Sequence, residues 1–143
     1  MSDHPKVYLF VHAIWSVRQR EPLLSKPVRR VLFAHIQKEG EEKGMRVLAV
    51  NGVEDHVHCL VQLLPSQNLS QVIKSIRALS AGWLNETKLL AAPFEWEENY
   101  VAISVSPSSL KQVTDYIAKQ EEHHKSRTLE SELEVFEKLK ESL

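Results

Sequence analysis

A chain of 143 residues is long enough to bury one substantial core and short for two. Its 43% hydrophobic and 26% charged residues are those of an ordinary globular domain, which excludes a disordered chain, and a formal net charge of −1 gives no bulk sign of nucleic-acid binding. One cysteine, Cys59, rules out an intrachain disulfide framework and fits a reducing, cytoplasmic setting; no apolar run reaches the ~18 residues of a membrane span, and Met1 to Lys6 carry no signal-peptide pattern.

Residues 7–18, rich in β-branched and aromatic side chains, predict a strand that Arg20-Glu21-Pro22 breaks. Ser25 is the expected cap of a helix over 26–43, with Val28, Val31, Leu32 and Ile36 at helical spacing and Gly40 and Gly44 as stop signals. Met45 to Val53 predicts a second strand closed by Asn51-Gly52, and residues 56–64 a third. Asn68 caps a helix whose stripe is Leu69, Val72, Ile73, Ile76, Leu79 and Trp83. An extended connection over 85–99 leads to a strand from Tyr100 to Val105, and Ser106-Pro107 starts a helix over 107–124 with Leu110, Val113 and Ile117 buried. A last helix, about 129–141, places Leu129, Leu133 and Phe136 on one side. The order β-α-β-β-α-β predicts an α+β, ferredoxin-like split βαβ domain spanning 1–143, with an antiparallel sheet, helices on one face and an open second face, and C-terminal helices added as a tail over 129–143.

Charge is uneven along these elements. Arg18, Arg20, Lys26, Arg29 and Arg30 cluster after the first strand, Lys74 and Arg77 sit three apart on a helix, and Glu130, Glu132, Glu134, Glu137 and Glu141 make the tail acidic. A basic patch on a neutral protein can hold a phosphate backbone; solvated charged faces are the plainer alternative.

The third strand carries the chemistry. Side chains two apart share a face, so Val57, Cys59, Val61 and Leu63 point to the core while His56, His58, Leu60 and Gln62 share the other side. Two imidazoles ~6–7 Å apart along a strand can converge on one divalent metal. The alternative is a pair of histidines on a half-solvated face. Tyr116 and Gln120, four apart, stack on one side of the 107–124 helix. Alone they read as edge packing and a solvent residue. With the histidines, the amide oxygen extends an incomplete coordination sphere suited to Mg²⁺ or Mn²⁺, and the phenol becomes a candidate nucleophile. Asp55 either orients a histidine or starts the strand.

The stretches HAIWSVRQREPLL, DHVHCLVQL, IKSIRALSAGWLNE, FEWEENYVAISVSPS and VTDYIAKQEEHH, in this order through nearly the whole chain, resemble the single-tyrosine transposases of the HUH superfamily, the insertion-sequence IS200-like type, with the repeat-associated tyrosine transposases as relatives. The resemblance implies that His56, His58 and Gln120 ligate Mg²⁺ or Mn²⁺. It implies that Tyr116 attacks a single-stranded DNA phosphodiester to give a 5′-phosphotyrosine and a free 3′-OH. It further implies recognition of DNA hairpins and a homodimer that commonly pairs one protomer's tyrosine helix with the other's histidines. Arg18, Arg20, Lys74 and Arg77 are the expected backbone contacts, and the protein is expected in the cytoplasm, at the nucleoid when on DNA. Trp15 and Trp96 are expected in the core, with stacking on a flipped base as the alternative. The chain departs from the family at Asn99, where a glycine is expected, and at Ile103, where an aromatic is common; neither touches a site position. Other functions that the same fold accommodates are a domesticated, non-catalytic single-stranded nucleic-acid-binding module, and a metal-dependent phosphoesterase using water in place of Tyr116.

Overall fold

The computed structural model describes residues 5–124 and 128–134 of the chain. Phe136, Glu137, Glu141 and the rest of the expected tail beyond residue 134 lie outside the described residues. The strands are β1 (Leu9–Ser16), β2 (Arg46–Gly52), β3 (His56–Leu63) and β4 (Val101–Val105), and the helices α1 (Lys26–Glu42), α2 (Leu69–Thr87), α3 (Leu110–Ala118) and α4 (Gln120–His123). Every neighbouring pair in the sheet order β2-β3-β1-β4 is antiparallel. This is the split βαβ arrangement, with β1 and β3 at its centre.

The period-two pattern sorts the sheet. Ala13, Trp15, Val17, Val57, Cys59 and Val61 turn to α1 and α2, where Leu32, Ile36, Val72, Ile73 and Ile76 complete the main core. Trp15 and Trp96 are both buried there, edge to face at 6.0 Å, with Trp96 Nε1 donating to Ser80 Oγ at 3.0 Å. They are core residues as expected. Val31 is the exception to the α1 stripe, 44% exposed, while Arg29 is buried. A helix packing at its edge can turn an apolar residue outward, but a guanidinium goes inside only with partners.

The second face is not open. Phe10, Leu60, Val105 and Ile117 form a smaller core with Leu110, Val113 and Tyr116 packed around it, so α3 lies on this face of its own sheet. β3 is consequently buried on both sides, and His56 and His58 are fully buried rather than half-solvated.

Several predicted ends hold for physical reasons. Asn68 accepts from Gln71 N at 2.9 Å and caps α2. Gly44, with φ +77°, ends α1, since a side chain is rarely tolerated there, whereas Gly40 stays inside the helix. Gly52 closes β2 because a Cβ there would lie 2.2 Å from His56 O; only glycine allows the chain to turn so tightly into the histidine strand. The expected 107–124 helix is instead broken. Pro107–Ser109 is a 3-10 turn, and Lys119 (φ −104°, ψ 26°) interrupts the helix between α3 and α4. Thr128 starts the tail helix at 129, as expected: its Oγ1 accepts from Ser131 N at 3.2 Å, and Leu129 is buried beneath. Among the described residues no helix is long and apolar enough to cross a membrane.

Candidate metal and tyrosine site

Strand alternation sends His56, His58 and, from β1, His12 to the face that α3 covers. The rings of His56 and His58 lie 5.2 Å apart, centre to centre. Each is held through Nδ1. His56 Nδ1 is 2.7 Å from Asp55 Oδ1, and His58 Nδ1 is 2.8 Å from His12 Nε2. Burial and the neighbouring His58 press the His12 pKa down to about 3, so His12 is neutral, and its contact with His58 Nδ1 orients the His58 ring. Both arrangements turn the Nε2 atoms towards Glu132. Asp55 thus orients a histidine, and Arg20 steadies it with a 3.1 Å bond to Oδ2.

Tyr116 approaches from α3. Its ring stands edge-on to His58 at 5.9 Å and to His12 at 6.3 Å, and stacks on His123 at 4.4 Å. Asn51, in β2, donates to the carbonyls of Ile117 (2.9 Å) and Ala118 (3.2 Å), which fixes the end of α3. The break at Lys119 then turns Gln120 wholly inside, its Nε2 3.4 Å from Tyr116 O. Arg29 ties α4 to α1, donating to Glu121 Oε1 at 2.9 Å and to Leu24 O at 2.7 Å.

Two further groups complete the cluster. His124 Nε2 lies 3.1 Å from His56 Nε2, and Glu132, from the helical residues 129–134, enters with a buried carboxylate. Its Oε2 accepts the Tyr116 hydroxyl and lies 3.3 Å from His58 Nε2; its Oε1 pairs with His124 and lies 3.6 Å from His56 Nε2. The charges follow. Burial opposes ionisation of Glu132, yet the neighbouring His56, His58 and Tyr116 prevail and hold it well below the usual carboxylate range. Burial would also lower His56, but Asp55 and Glu132 outweigh it and raise its pKa; for His58 burial wins and the pKa falls.

The donor set fits a divalent metal. One donor atom from each of His56, His58, His124 and Glu132 lies within 4.8 Å of the others. His58 Nε2 and Gln120 Oε1 are buried without a hydrogen bond among the described residues. Leaving buried polar atoms unbonded costs about 1–3 kcal/mol each unless a ligand meets them. A cavity of about 360 Å³ lined by Lys26, Arg29, Val53, Glu54, Glu121 and His124 opens beside the cluster. A larger one, about 630 Å³ between Met45 and the start of α2, holds none of these groups.

The structure thus brings together Tyr116, His56 and His58 and buries Gln120 beside the Tyr116 backbone. His12, His124 and Glu132 were missed from sequence, although strand alternation alone would have placed His12 on the histidine face. Of the four basic residues expected on DNA, Arg20 braces the site through Asp55, and three of the four are engaged by protein groups. Arg18 pairs with Glu95, Arg20 with Asp55 and Glu130, and Arg77 with the carbonyls of Glu97 and Glu98. Lys74 is exposed beside Arg77 on a cleft along α2 that also includes Trp96 and Tyr100.

Comparison with known proteins agrees with this architecture. The chain is 25% identical over 114 residues to the ISDra2 transposase TnpA of Deinococcus radiodurans, covering 76% of this chain and 81% of that one. A solved transposase structure from Deinococcus radiodurans R1 superposes with a TM-score of 0.65 at 23% identity, over 84% of this chain and 97% of the other. A REP-associated tyrosine transposase bound to a REP hairpin superposes at 0.61 with 17% identity, over 87% and 74%. Residues 6–120 match the family described as transposase IS200-like, so the chain belongs to the IS200-like transposases.

Proposed function

We propose that this transposase cleaves and rejoins single-stranded DNA, with Tyr116 as nucleophile and His56, His58 and Gln120 as the ligands of Mg²⁺ or Mn²⁺. The observation that carries the proposal is the convergence of a tyrosine on two buried, Nδ1-anchored histidines within one chain. The metal, when bound, would polarise the phosphate oxygens and stabilise their developing charge.

The phenolic oxygen of Tyr116 attacks phosphorus, the bond from phosphorus to the 3′ oxygen breaks, and that oxygen leaves with a proton as a free 3′-OH. The phenol's own proton goes to solvent or to a basic neighbour, and the 5′-phosphate stays on the tyrosine. Rejoining is the reverse, with an incoming 3′-OH as nucleophile. The ester bond is conserved throughout, so no nucleotide cofactor is consumed. His12 and Asp55 keep the imidazole rings oriented, and Asn51 keeps α3 seated.

DNA hairpins are the proposed substrate class; the hairpin-bound REP-associated relative supports this. Lys74 and Arg18, the more exposed basic side chains, are proposed to meet phosphates, with Arg20 and Arg77 supporting the site and its cleft. A dimer is part of the proposal, but α3 packs on its own sheet, so the reaction is proposed to run within one chain.

The test is a covalent-adduct assay with hairpin oligonucleotides and Mg²⁺ or Mn²⁺ on a denaturing gel. A metal-dependent protein–DNA band absent in Tyr116→Phe and His56→Ala is expected. Tight binding without adduct would instead favour a non-catalytic module, and cleavage retained by Tyr116→Phe would favour a water-using phosphoesterase.

A further inference from the structure

We propose that His124 and Glu132 join His56 and His58 in a four-donor metal centre that closes the site when DNA is absent, with Glu132 as the ligand that a phosphate displaces. Four observations carry it. The four donor atoms lie within 4.8 Å of one another. His56, His58 and Glu132 are buried, and the His124 side chain is only 11% exposed. His58 Nε2 lies 3.3 Å from Glu132 Oε2 and makes no hydrogen bond among the described residues. His56 Nε2 and His124 Nε2 face each other at 3.1 Å, a contact that a shared cation would bridge.

The donor chemistry sets the metal class. Three imidazoles and one carboxylate suit a borderline transition ion such as Zn²⁺, Co²⁺ or Mn²⁺ better than Mg²⁺, which prefers oxygen. Four protein ligands also make a closed site, whereas a catalytic site keeps a position open for water or substrate. One ligand must therefore leave before a phosphate can bind. Glu132 is the one whose geometry matches that exchange. Its carboxylate spans the Tyr116 hydroxyl and the three imidazoles, which is where an anionic oxygen of a scissile phosphate must sit to face both nucleophile and metal. It also rides on the short helix that Thr128 caps, held at its start by Leu129 and by the Arg20–Glu130 pair, a smaller anchorage than β3 gives the histidines. Gln120 Oε1, buried without a hydrogen bond among the described residues, would be the candidate to replace Glu132.

The displacement step rests on the proposed phosphodiester chemistry; the four-donor centre does not. The full chain is titrated with Co²⁺ alone, following visible absorption and affinity, because tetrahedral Co²⁺ with nitrogen ligands absorbs far more strongly than octahedral Co²⁺. Wild type is expected to bind one Co²⁺ with the strong tetrahedral bands. Glu132→Gln and His124→Ala are each expected to lose those bands and to weaken binding by at least about tenfold, the loss that even outer partners of a metal ligand produce. Inorganic phosphate added to the Co²⁺-loaded protein is expected to bind more tightly to Glu132→Gln than to wild type. Equal Co²⁺ binding in wild type, Glu132→Gln and His124→Ala, with loss only in His56→Ala, would overturn the four-donor centre and leave the histidine-pair metal site standing. No Co²⁺ binding by wild type would overturn both. Equal phosphate affinity in wild type and Glu132→Gln would overturn the exchange. Glu132→Gln keeps the side chain's shape, so the test survives if His124→Ala fails to fold.

Discussion

Replacing Asn51 with alanine should loosen the tyrosine helix without unfolding the sheet. Asn51 Nδ2 donates to Ile117 O at 2.9 Å and to Ala118 O at 3.2 Å, and the second bond is solvent-exposed. A neutral hydrogen bond of this kind contributes about 0.5–1.5 kcal/mol net, and the longer, wetter one falls at the low end, so the pair contributes about 1–2 kcal/mol to seating α3. The rest of the docking comes from Ile117 and its neighbours, which the substitution leaves in place. A loss of about 1–2 kcal/mol corresponds to a factor of about 5–30 in the open population. Hydrogen exchange followed by mass spectrometry reads this directly, because opening of α3 exposes its own amides. Peptides covering residues 110–123 should exchange about 5–30 times faster in Asn51→Ala, while peptides from β1 and β3 stay within twofold of wild type. Unchanged exchange over 110–123 would show that the clamp contributes nothing. Equal acceleration everywhere would show that Asn51 acts on the whole fold.

Other outcomes follow from the same structure. Ile117→Ala removes a fully buried side chain from the small core under α3 and should lower stability by about 2–5 kcal/mol in urea denaturation, with a loss below about 1 kcal/mol contradicting that core. Burial pushes the Cys59 thiol up to about 12 from 9.0, so the folded state favours the protonated form. Its contribution is therefore complete below pH 9 and is lost as pH rises from 9 towards 12; the native thiol should resist a disulfide reagent at pH 8 and react only on unfolding, and rapid native labelling would refute its burial. Mixing Tyr116→Phe with His56→Ala should restore no adduct formation, because α3 packs on its own sheet; recovery would show that helices exchange between chains.

The parts of the site that could be read from sequence are those set by local periodicity. His56 and His58 share a strand face because side chains alternate, and Tyr116 falls on the helix stripe that packs over them; Gln120, predicted one helical turn on, instead reaches the interior through the break at Lys119. The break at Lys119 carries no such signal. Nothing in Ala118-Lys119-Gln120 stops a helix, and the chain turns there because Asn51 takes the last carbonyls of α3. The face expected to be open is closed for a similar reason: the stripe of Leu110, Val113 and Ile117 predicts that the helix buries one side, but which surface receives it depends on Phe10, Leu60 and Val105 from three separate strands. His12 is a mixed case. Its inward direction follows from alternation, whereas its bond to His58 depends on the β1–β3 register, which pairs it opposite Leu60 and diagonally to His58.

The acidic tail shows why charge patterns are the hardest feature to interpret along a chain. In sequence, Glu130, Glu132 and Glu134 form one run, with a solvated face as the plain expectation. In the fold they separate: Glu130 meets Arg20 at the surface and Glu132 is buried among imidazoles. An ionised carboxylate buried without partners would cost several kcal/mol, so Glu132 can enter only because His56, His58, His124 and Tyr116 are already there to receive it. The dependence is reciprocal, since the same carboxylate raises the pKa of His56 and opposes the burial effect on His58. The histidine strand and the tail, 76 residues apart between His56 and Glu132, are therefore one electrostatic unit, and a change in what fills the histidine cluster must also move the tail.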